Sequence, residues 1–170
     1  MRLYRAPKVI RLKLAQNPPK PINDSQREEE LLQNILGINR ELENKILDET
    51  MVKSFFVAQM EAGKMLQLEL SLTENQKELE KVPMKGYSSL NDVRVEINIL
   101  DENILKELAN ILTNKNINTK NECLKNKKEI IKIDWLRSFN ELEKGYSVNV
   151  ELARMKALIA CFDKLCDLFN

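Results

Sequence analysis

The sequence predicts an α+β protein that is predominantly α, a helical bundle with a small antiparallel sheet. Glycine and proline are scarce, at 4 and 5 residues of 170, which favours helices. A helical apolar pattern runs from Ser25 to about Val82. Two shorter segments, 8–14 and 92–99, alternate apolar and polar residues instead, as half-buried strands do.

The length is that of a single domain, residues 1–170. Four regions follow one another in it: a basic N-terminal strand with a Pro-rich connection (1–22), a long helix (25–82), a strand and helix region (91–144) and a C-terminal helix (147–169).

The N-terminal region is basic, and its charge has a counterpart within the chain. Residues 1–20 contain six Lys or Arg residues and no acid, whereas residues 24–80 carry 13 acids and six bases. This pattern predicts that the basic segment pairs inside the fold and is not a free arm. Ile10, Leu12 and Leu14 would face the core, and "NPPKP" would end the strand.

The segment "DVRVEINIL" is the clearest predicted strand. Its apolar residues alternate with polar ones, and Glu96 would lie across the sheet from Arg11 or Lys13. Residues 129–133 are a third candidate strand, and the alternative that they begin a helix stays open.

The long helix begins at a capping box, with Ser25 as the cap and Glu28 three residues later. Pro83 and Gly86 end it. Unbroken, it would be roughly 85 Å long, about twice the width of a globule of this size. We therefore expect it to protrude or to break once, with Gly37, Gly63 and residues 71–75 as candidate positions.

Two apolar stripes follow this helix, and one neighbouring element can cover only one of them. The first contains Leu31, Ile35, Ile38, Leu42, Ile46, Phe56 and Met60. The second contains Leu47, Met51, Phe55, Ala58, Ala62 and Met65. We predict that the second stripe is a partner-binding surface with Phe55 as its anchor. The alternative is that the C-terminal helix already fills this groove.

The C-terminal helix has a coiled-coil-like apolar seam. The seam residues recur at spacings of four and three: Val148, Leu152, Met155, Ile159, Phe162, Cys166 and Phe169. A helix this apolar is either buried in the domain or docked on another protein. Phe162, at the centre of the seam, is expected to be buried.

The composition excludes many chemistries. The chain has no histidine, which removes Ser-His and Cys-His catalytic pairs and His-ligated metal sites. Cys123, Cys161 and Cys166 are an odd number, predicted to be reduced thiols in a cytoplasm. No phosphate-binding glycine motif is present. We therefore expect no catalytic, cofactor-binding or metal-binding residues, and no membrane span, because no apolar stretch approaches about 18 residues.

The segments "ELLQNILGINRELENKILDETMVKSFFVAQMEAGKMLQLEL" and "NVELARMKALIACFDKLCDLF" carry a resemblance, together with the Lys-, Asn-, Leu- and Glu-rich composition. In length and helix pattern the chain resembles the co-chaperones of ε-proteobacterial flagellar export that bind the flagellin export chaperone FliS. The resemblance implies a helical bundle with a small sheet that binds this chaperone and supports its folding or activity, without catalysis or cofactor. No short motif carries it, so no site residue is transferred.

Three functional hypotheses follow. The leading one is a non-enzymatic, cytoplasmic protein-binding module that recognises its partner through helix packing. The second is a self-associating helical or coiled-coil structural protein. The third and weakest is a nucleic-acid accessory protein that would use residues 1–20 and 115–132; the net charge of +1 provides no general attraction for nucleic acid.

Overall fold

The fold is built from helices. The computed structural model describes residues 2–42, 47–72, 75–114 and 119–126, together with Ile159, Asp163, Cys166 and Asp167. A short 3-10 helix, Arg2–Arg5, precedes α1 (Ala6–Leu14), α2 (Ser25–Glu41), α3 (Glu49–Ser71), α4 (Gln76–Lys81) and α5 (Leu90–Asn114). Residues 120–126 are helical as well.

The predicted antiparallel sheet is wrong, because no strand occurs in the described ranges. Residues 8–14 belong to α1. Pro7 lies in the first turn of α1, where its missing N–H costs no hydrogen bond. The buried residues Ala6, Val9, Ile10 and Lys13 recur at helical spacing. Over seven residues an alternating pattern and a helical pattern both fit, and here tertiary packing selects the helix.

Residues 92–99 are likewise helical and lie in α5. The Ser89 hydroxyl accepts a hydrogen bond from the Asp92 N–H, and the Asp92 carboxylate accepts one from the Ser89 N–H. This reciprocal capping box starts the helix. As a consequence the four alternating apolar residues are divided: Val93 is fully buried and Ile97 partly buried, whereas Val95 and Ile99 are 51% and 56% exposed. The candidate strand 129–133 lies outside the described residues.

The predicted long helix is interrupted at two places, not one. Helix α2 ends at Glu41, with Leu42 as its C-cap, and α4 follows the extended backbone of Leu72, which lies within the candidate break at 71–75. Gly37 and Gly63 are inside helices. Asp24, and not Ser25, caps α2 by accepting a hydrogen bond from the Arg27 N–H.

The connection between α2 and α3 is held by a buried amide. The side chain of Asn39 is fully buried; it donates to the Leu47 carbonyl at 2.8 Å and accepts from the Leu47 N–H at 3.1 Å. Asp48 then caps α3 through the Met51 N–H. These bonds satisfy backbone groups that a continuous helix would have paired internally.

Two clusters form most of the core. The larger joins α2, α3 and α5 to Cys123 and Cys166, and the smaller joins α1 to the C-terminal half of α3 and to α4. The larger contains Leu31, Leu32, Ile35, Leu36, Val52, Phe55, Phe56, Met60, Leu105, Leu108, Cys123 and Cys166. The smaller contains Ala6, Ile10, Leu66, Leu70, Leu79 and Val82.

The basic N-terminus is part of the fold, as expected from its charge. Arg5 pairs with Glu96 at 2.5 Å, and Glu96 also accepts a hydrogen bond from the Tyr87 hydroxyl. Arg2 pairs with the buried carboxylate of Asp101. The partner of Glu96 is thus Arg5, and not Arg11 or Lys13 as an antiparallel sheet would have required.

Cys123 and Cys166 form a disulfide, with a Cα–Cα distance of 5.4 Å. The prediction of reduced thiols is therefore wrong for these two residues. Cys166 is fully buried in the larger cluster, which confirms its predicted place in the core. Cys161 and Phe162 lie outside the described residues, as does most of 147–169; Ile159, Asp163 and Cys166 in that region are helical.

Candidate functional site

The stripe predicted to bind a partner lies on α3, apart from Leu47, which lies two residues before α3, and the structure divides the stripe. Phe55 and Ala62 are each only 3% exposed. Leu47, Met51 and Ala58 are partly buried against the larger core cluster. Met65, in contrast, is 60% exposed.

Phe55 is packed within the molecule. Its ring meets that of Phe56 edge to face, with centroids 5.4 Å apart, a favoured aromatic geometry. Cys166, from the C-terminal region, belongs to the same cluster. These contacts favour the alternative in which the protein's own core covers this side of α3.

A different side of α3 is apolar and exposed. Its members lie within an arc of about 80°, given roughly 100° per residue. They are Val57 (36% exposed), Met65 (60%), Leu68 (58%) and Leu72 (42%). We call these four residues the exposed α3 face. It shares Met65 with the predicted stripe and is rotated from it by roughly a fifth of a turn.

Sequence reasoning missed three of these residues. The signal was the segment "MLQLELSL", residues 65–72, which has more apolar side chains than one buried helix face can hold. Leu66 and Leu70 are buried, each 1% exposed, whereas the other three apolar residues of the segment, Met65, Leu68 and Leu72, are exposed. An apolar excess of this kind on a polar-bordered surface commonly marks an interaction site.

The border of the exposed α3 face is charged. Lys64 contacts Glu28 at 3.1 Å and Glu61 at 2.5 Å. Burial opposes the charge on Lys64, but the hydrogen bonds to Glu61 and Glu28 prevail and raise its pKa. Glu69 lies exposed on the same helix. Glu61 lies within the arc of the face, between Val57 and Met65, and Glu69 lies beside it.

Exposed apolar residues also occur on α5. Val95 and Ile99 are 51% and 56% exposed and one helical turn apart. This pair covers one helical turn, whereas the exposed α3 face extends over about four. It therefore provides a matched control for experiments on α3.

Asp101 is a buried carboxylate away from this face. Burial raises its pKa, although Arg2 and Arg27 act in the opposite direction. It is bound by Arg2 and lies in the middle of α5, so the pair links the N-terminus to α5.

No cluster of three or more Cys, Asp or Glu residues suited to a metal ion occurs in the described ranges. None of the helices described is long and apolar enough to cross a bilayer.

Comparison with known proteins leaves the family open. No family model, curated protein or solved structure matches the chain. The resemblance to flagellar co-chaperones accordingly stays an expectation from the sequence.

Proposed function

We propose that this chain is a non-enzymatic protein-binding module whose exposed α3 face receives an amphipathic helix of a partner protein. The observation that carries the proposal is the exposure of Met65, Leu68 and Leu72 along one side of a helix whose opposite side is already buried. Apolar residues recurring at three and four positions are the contacts used in helix-to-helix recognition.

The shape and charge of the face indicate the partner's chemistry. From Val57 to Leu72 it runs for roughly 22 Å, the length of about four helical turns. Met65 can adapt to different neighbours, as methionine side chains do. Leu68 and Leu72, towards the C-terminal end of α3, provide branched apolar contacts. Because the exposed Glu61 lies within the face and Glu69 beside it, the partner helix should carry basic residues close to its apolar stripe.

The resemblance suggests one partner class, namely an export chaperone of flagellin. This remains the first candidate to test, with the purified chaperone FliS as the binding partner. A cytoplasmic location belongs to the same proposal. The Cys123–Cys166 disulfide opposes that location, because cytoplasmic thiols are mostly kept reduced. Rapid alkylation of thiols in intact cells would show which redox state the pair has in vivo.

The test of the binding face uses two double variants. Met65→Ser with Leu68→Ser removes the centre of the exposed α3 face, whereas Val95→Ser with Ile99→Ser alters an equally exposed pair on α5. Fluorescence anisotropy with labelled FliS should show a loss of about thirtyfold or more in affinity for the α3 variant only, since central apolar contacts contribute about 2 kcal/mol or more.

Equal affinities for wild type and both variants would exclude the exposed α3 face as the binding surface. If FliS does not bind at all, the same three proteins should be used as baits on native lysate. A partner retained by the wild type and the α5 variant but not by the α3 variant then supports the proposal.

Self-association is the second candidate function, since the same apolar face can meet its copy on another molecule. Light scattering distinguishes the two functions. A monomer at micromolar concentration excludes obligate self-association, whereas a dimer that the Met65→Ser, Leu68→Ser variant converts to a monomer would favour it.

A further inference from the structure

A cavity of about 110 Å³ lies among the 3-10 helix, α1, α2, α3 and α5. Its lining is unusually cationic for the interior of a protein. Five Lys or Arg residues line it, together with the two acids Asp24 and Glu28. The five are Arg2, Lys13, Arg27, Lys64 and Arg94.

Lys13 differs from the other four cations because no carboxylate of the described residues lies within 4.0 Å of its ammonium. It is only 4% exposed, and its Nζ donates to the Ile22 carbonyl at 2.6 Å. An ammonium has three N–H donors, so this single bond leaves two for another acceptor. Burial lowers the pKa of Lys13, against the attraction of Asp24, which shows the cost of keeping a charge there.

Gln67 lines the same cavity, and it needs a hydrogen-bond donor where Lys13 needs an acceptor. It is 8% exposed, and its Nε2 donates to the Gly63 carbonyl at 3.2 Å. That bond identifies the amide nitrogen, since only the nitrogen can donate. The amide oxygen Oε1 is buried and has no hydrogen-bond partner among the residues that the structure describes, and such an orphaned acceptor is rare in folded proteins.

The two acids of the lining are already compensated. Asp24 pairs with Arg94 at 2.5 Å and accepts from the Arg27 N–H, and Glu28 pairs with Lys64 at 3.1 Å. The unmet requirements of the cavity are therefore an anion for Lys13 and a hydrogen-bond donor for Gln67.

We propose that this cavity is a binding site for a protonated oxyanion of the size of hydrogen phosphate, held by Lys13 through its oxygens and by Gln67 through its hydroxyl. The volume suits such a group, because an apolar cavity of roughly 150 Å³ accommodates benzene, which has one heavy atom more. Gln59, a second amide in the lining that is 5% exposed, is available as a further donor. The group is either free phosphate or the phosphate of a small monoester.

Isothermal titration calorimetry of the full chain with sodium phosphate, at constant ionic strength in chloride buffer near neutral pH, tests the site. Phosphate should bind, and sulfate should bind more weakly, because sulfate carries no proton to donate to Gln67. Titration with glycerol phosphate then distinguishes a monoester from the free ion, and saturable binding of either one supports the proposal.

Two charge-matched variants localise the binding. Lys13→Met should weaken phosphate binding about tenfold or more, as expected for a charged hydrogen bond that is lost. Lys20→Met removes an exposed charge nearby and should change the affinity by less than about twofold, since exposed charges are screened. Gln67→Leu should remove the preference of phosphate over sulfate.

The absence of heat with both phosphate and glycerol phosphate at millimolar concentration would overturn the proposal and leave a cavity that holds water only. Equal weakening by Lys13→Met and Lys20→Met would also overturn it, since the attraction would then be general. If Lys13→Met does not fold, nitrogen NMR of the lysine side chains in the wild type decides. The Lys13 signal should shift on addition of phosphate while that of Lys20 stays in place, and an unmoved Lys13 signal contradicts the site.

Discussion

Asp101 and Arg2 form a buried ion pair between the first helical turn and the middle of α5. Asp101 is 1% exposed, and within the described part of the chain its second oxygen, Oδ1, has no hydrogen-bond partner. The pair joins distant parts of the chain. Its net contribution to the free energy of folding is small, because desolvation offsets much of the attraction in a buried pair.

Asp101→Ala is expected to lower the free energy of unfolding by about 3–5 kcal/mol, because it leaves the Arg2 guanidinium buried without its partner. Urea denaturation followed by circular dichroism measures the loss. The neighbouring Glu102→Ala is the control. Glu102 is partly exposed, and its ion pair among the described residues is with Lys106 one turn away, so its loss should cost less than about 0.5 kcal/mol. Similar costs for both variants would show that the Arg2 pair has no structural role.

The variant Phe55→Ala tests whether Phe55 belongs to the core or to an interface. The sequence analysis predicted this residue to be the anchor of the partner-binding surface. With 3% exposure and an edge-to-face contact to Phe56, truncation should destabilise the isolated protein by about 3–5 kcal/mol. Met65→Ala, on the same helix but 60% exposed, should change stability by less than about 0.5 kcal/mol. If Phe55→Ala melts like the wild type yet loses a partner, the original partner-surface hypothesis is restored.

At the scale of elements, α1 illustrates how a short segment acquires its structure from its neighbours. It packs Ala6 and Ile10 against Leu66 and Leu70 of α3, and Arg11 donates to the carbonyls of Glu80 and Val82 beside α4. Helix α1 thus covers the half of α3 opposite the exposed α3 face.

Deletion of residues 1–16 should markedly lower the melting temperature, because it uncovers Leu66 and Leu70 and removes the partners of Glu96 and Asp101. Differential scanning calorimetry measures the change. Point variants in the full chain check the cause: Ile10→Ala, fully buried, should cost about 2–5 kcal/mol, and Leu14→Ala, 40% exposed, should cost much less. An unchanged melting temperature after deletion would mean that α1 is dispensable.

At the scale of the whole molecule, the Cys123–Cys166 disulfide ties the 119–126 helical segment to the C-terminal region across 43 positions. Reduction, or the double variant Cys123→Ala with Cys166→Ala, should lower stability by about 4 kcal/mol on the chain-entropy estimate for a loop of this length. Urea denaturation with and without reductant measures it. Reductant should not change the free energy of unfolding of the double variant. If it does not change that of the wild type either, the disulfide does not stabilise the protein.

Stability should also fall in acid. The hydrogen bond from Arg5 lowers the pKa of Glu96, and Tyr87 assists against burial. The folded state therefore releases this proton more readily than the unfolded state, so the contribution of Glu96 is present above its ordinary pKa of 4.5 and is lost as pH falls through the lower folded value. Glu96→Gln should flatten this part of the stability–pH curve.

Asp101 should change the stability of the protein with pH in the opposite direction to Glu96. Burial raises its pKa above the ordinary 3.8, so the folded state holds this proton more tightly than the unfolded state, and the stability that comes from this difference is lost as pH rises through the folded value. Denaturation curves of wild type, Glu96→Gln and Asp101→Asn between acid and neutral pH would separate the two groups. If Glu96→Gln retains the wild-type acid dependence, the Arg5 pair is not its source.

The sequence by itself determined the helical character of the chain, the exclusion of histidine chemistry and the inclusion of the basic N-terminus in the fold, because these depend on composition and on charge pattern. Only the tertiary structure decided between helix and strand for 8–14 and 92–99, where two periodicities fit the same few residues. It also decided which side of α3 stays exposed. Stripes 70° to 80° apart on one helix differ little in sequence, and which of them is covered depends on the neighbours that the fold brings to α3.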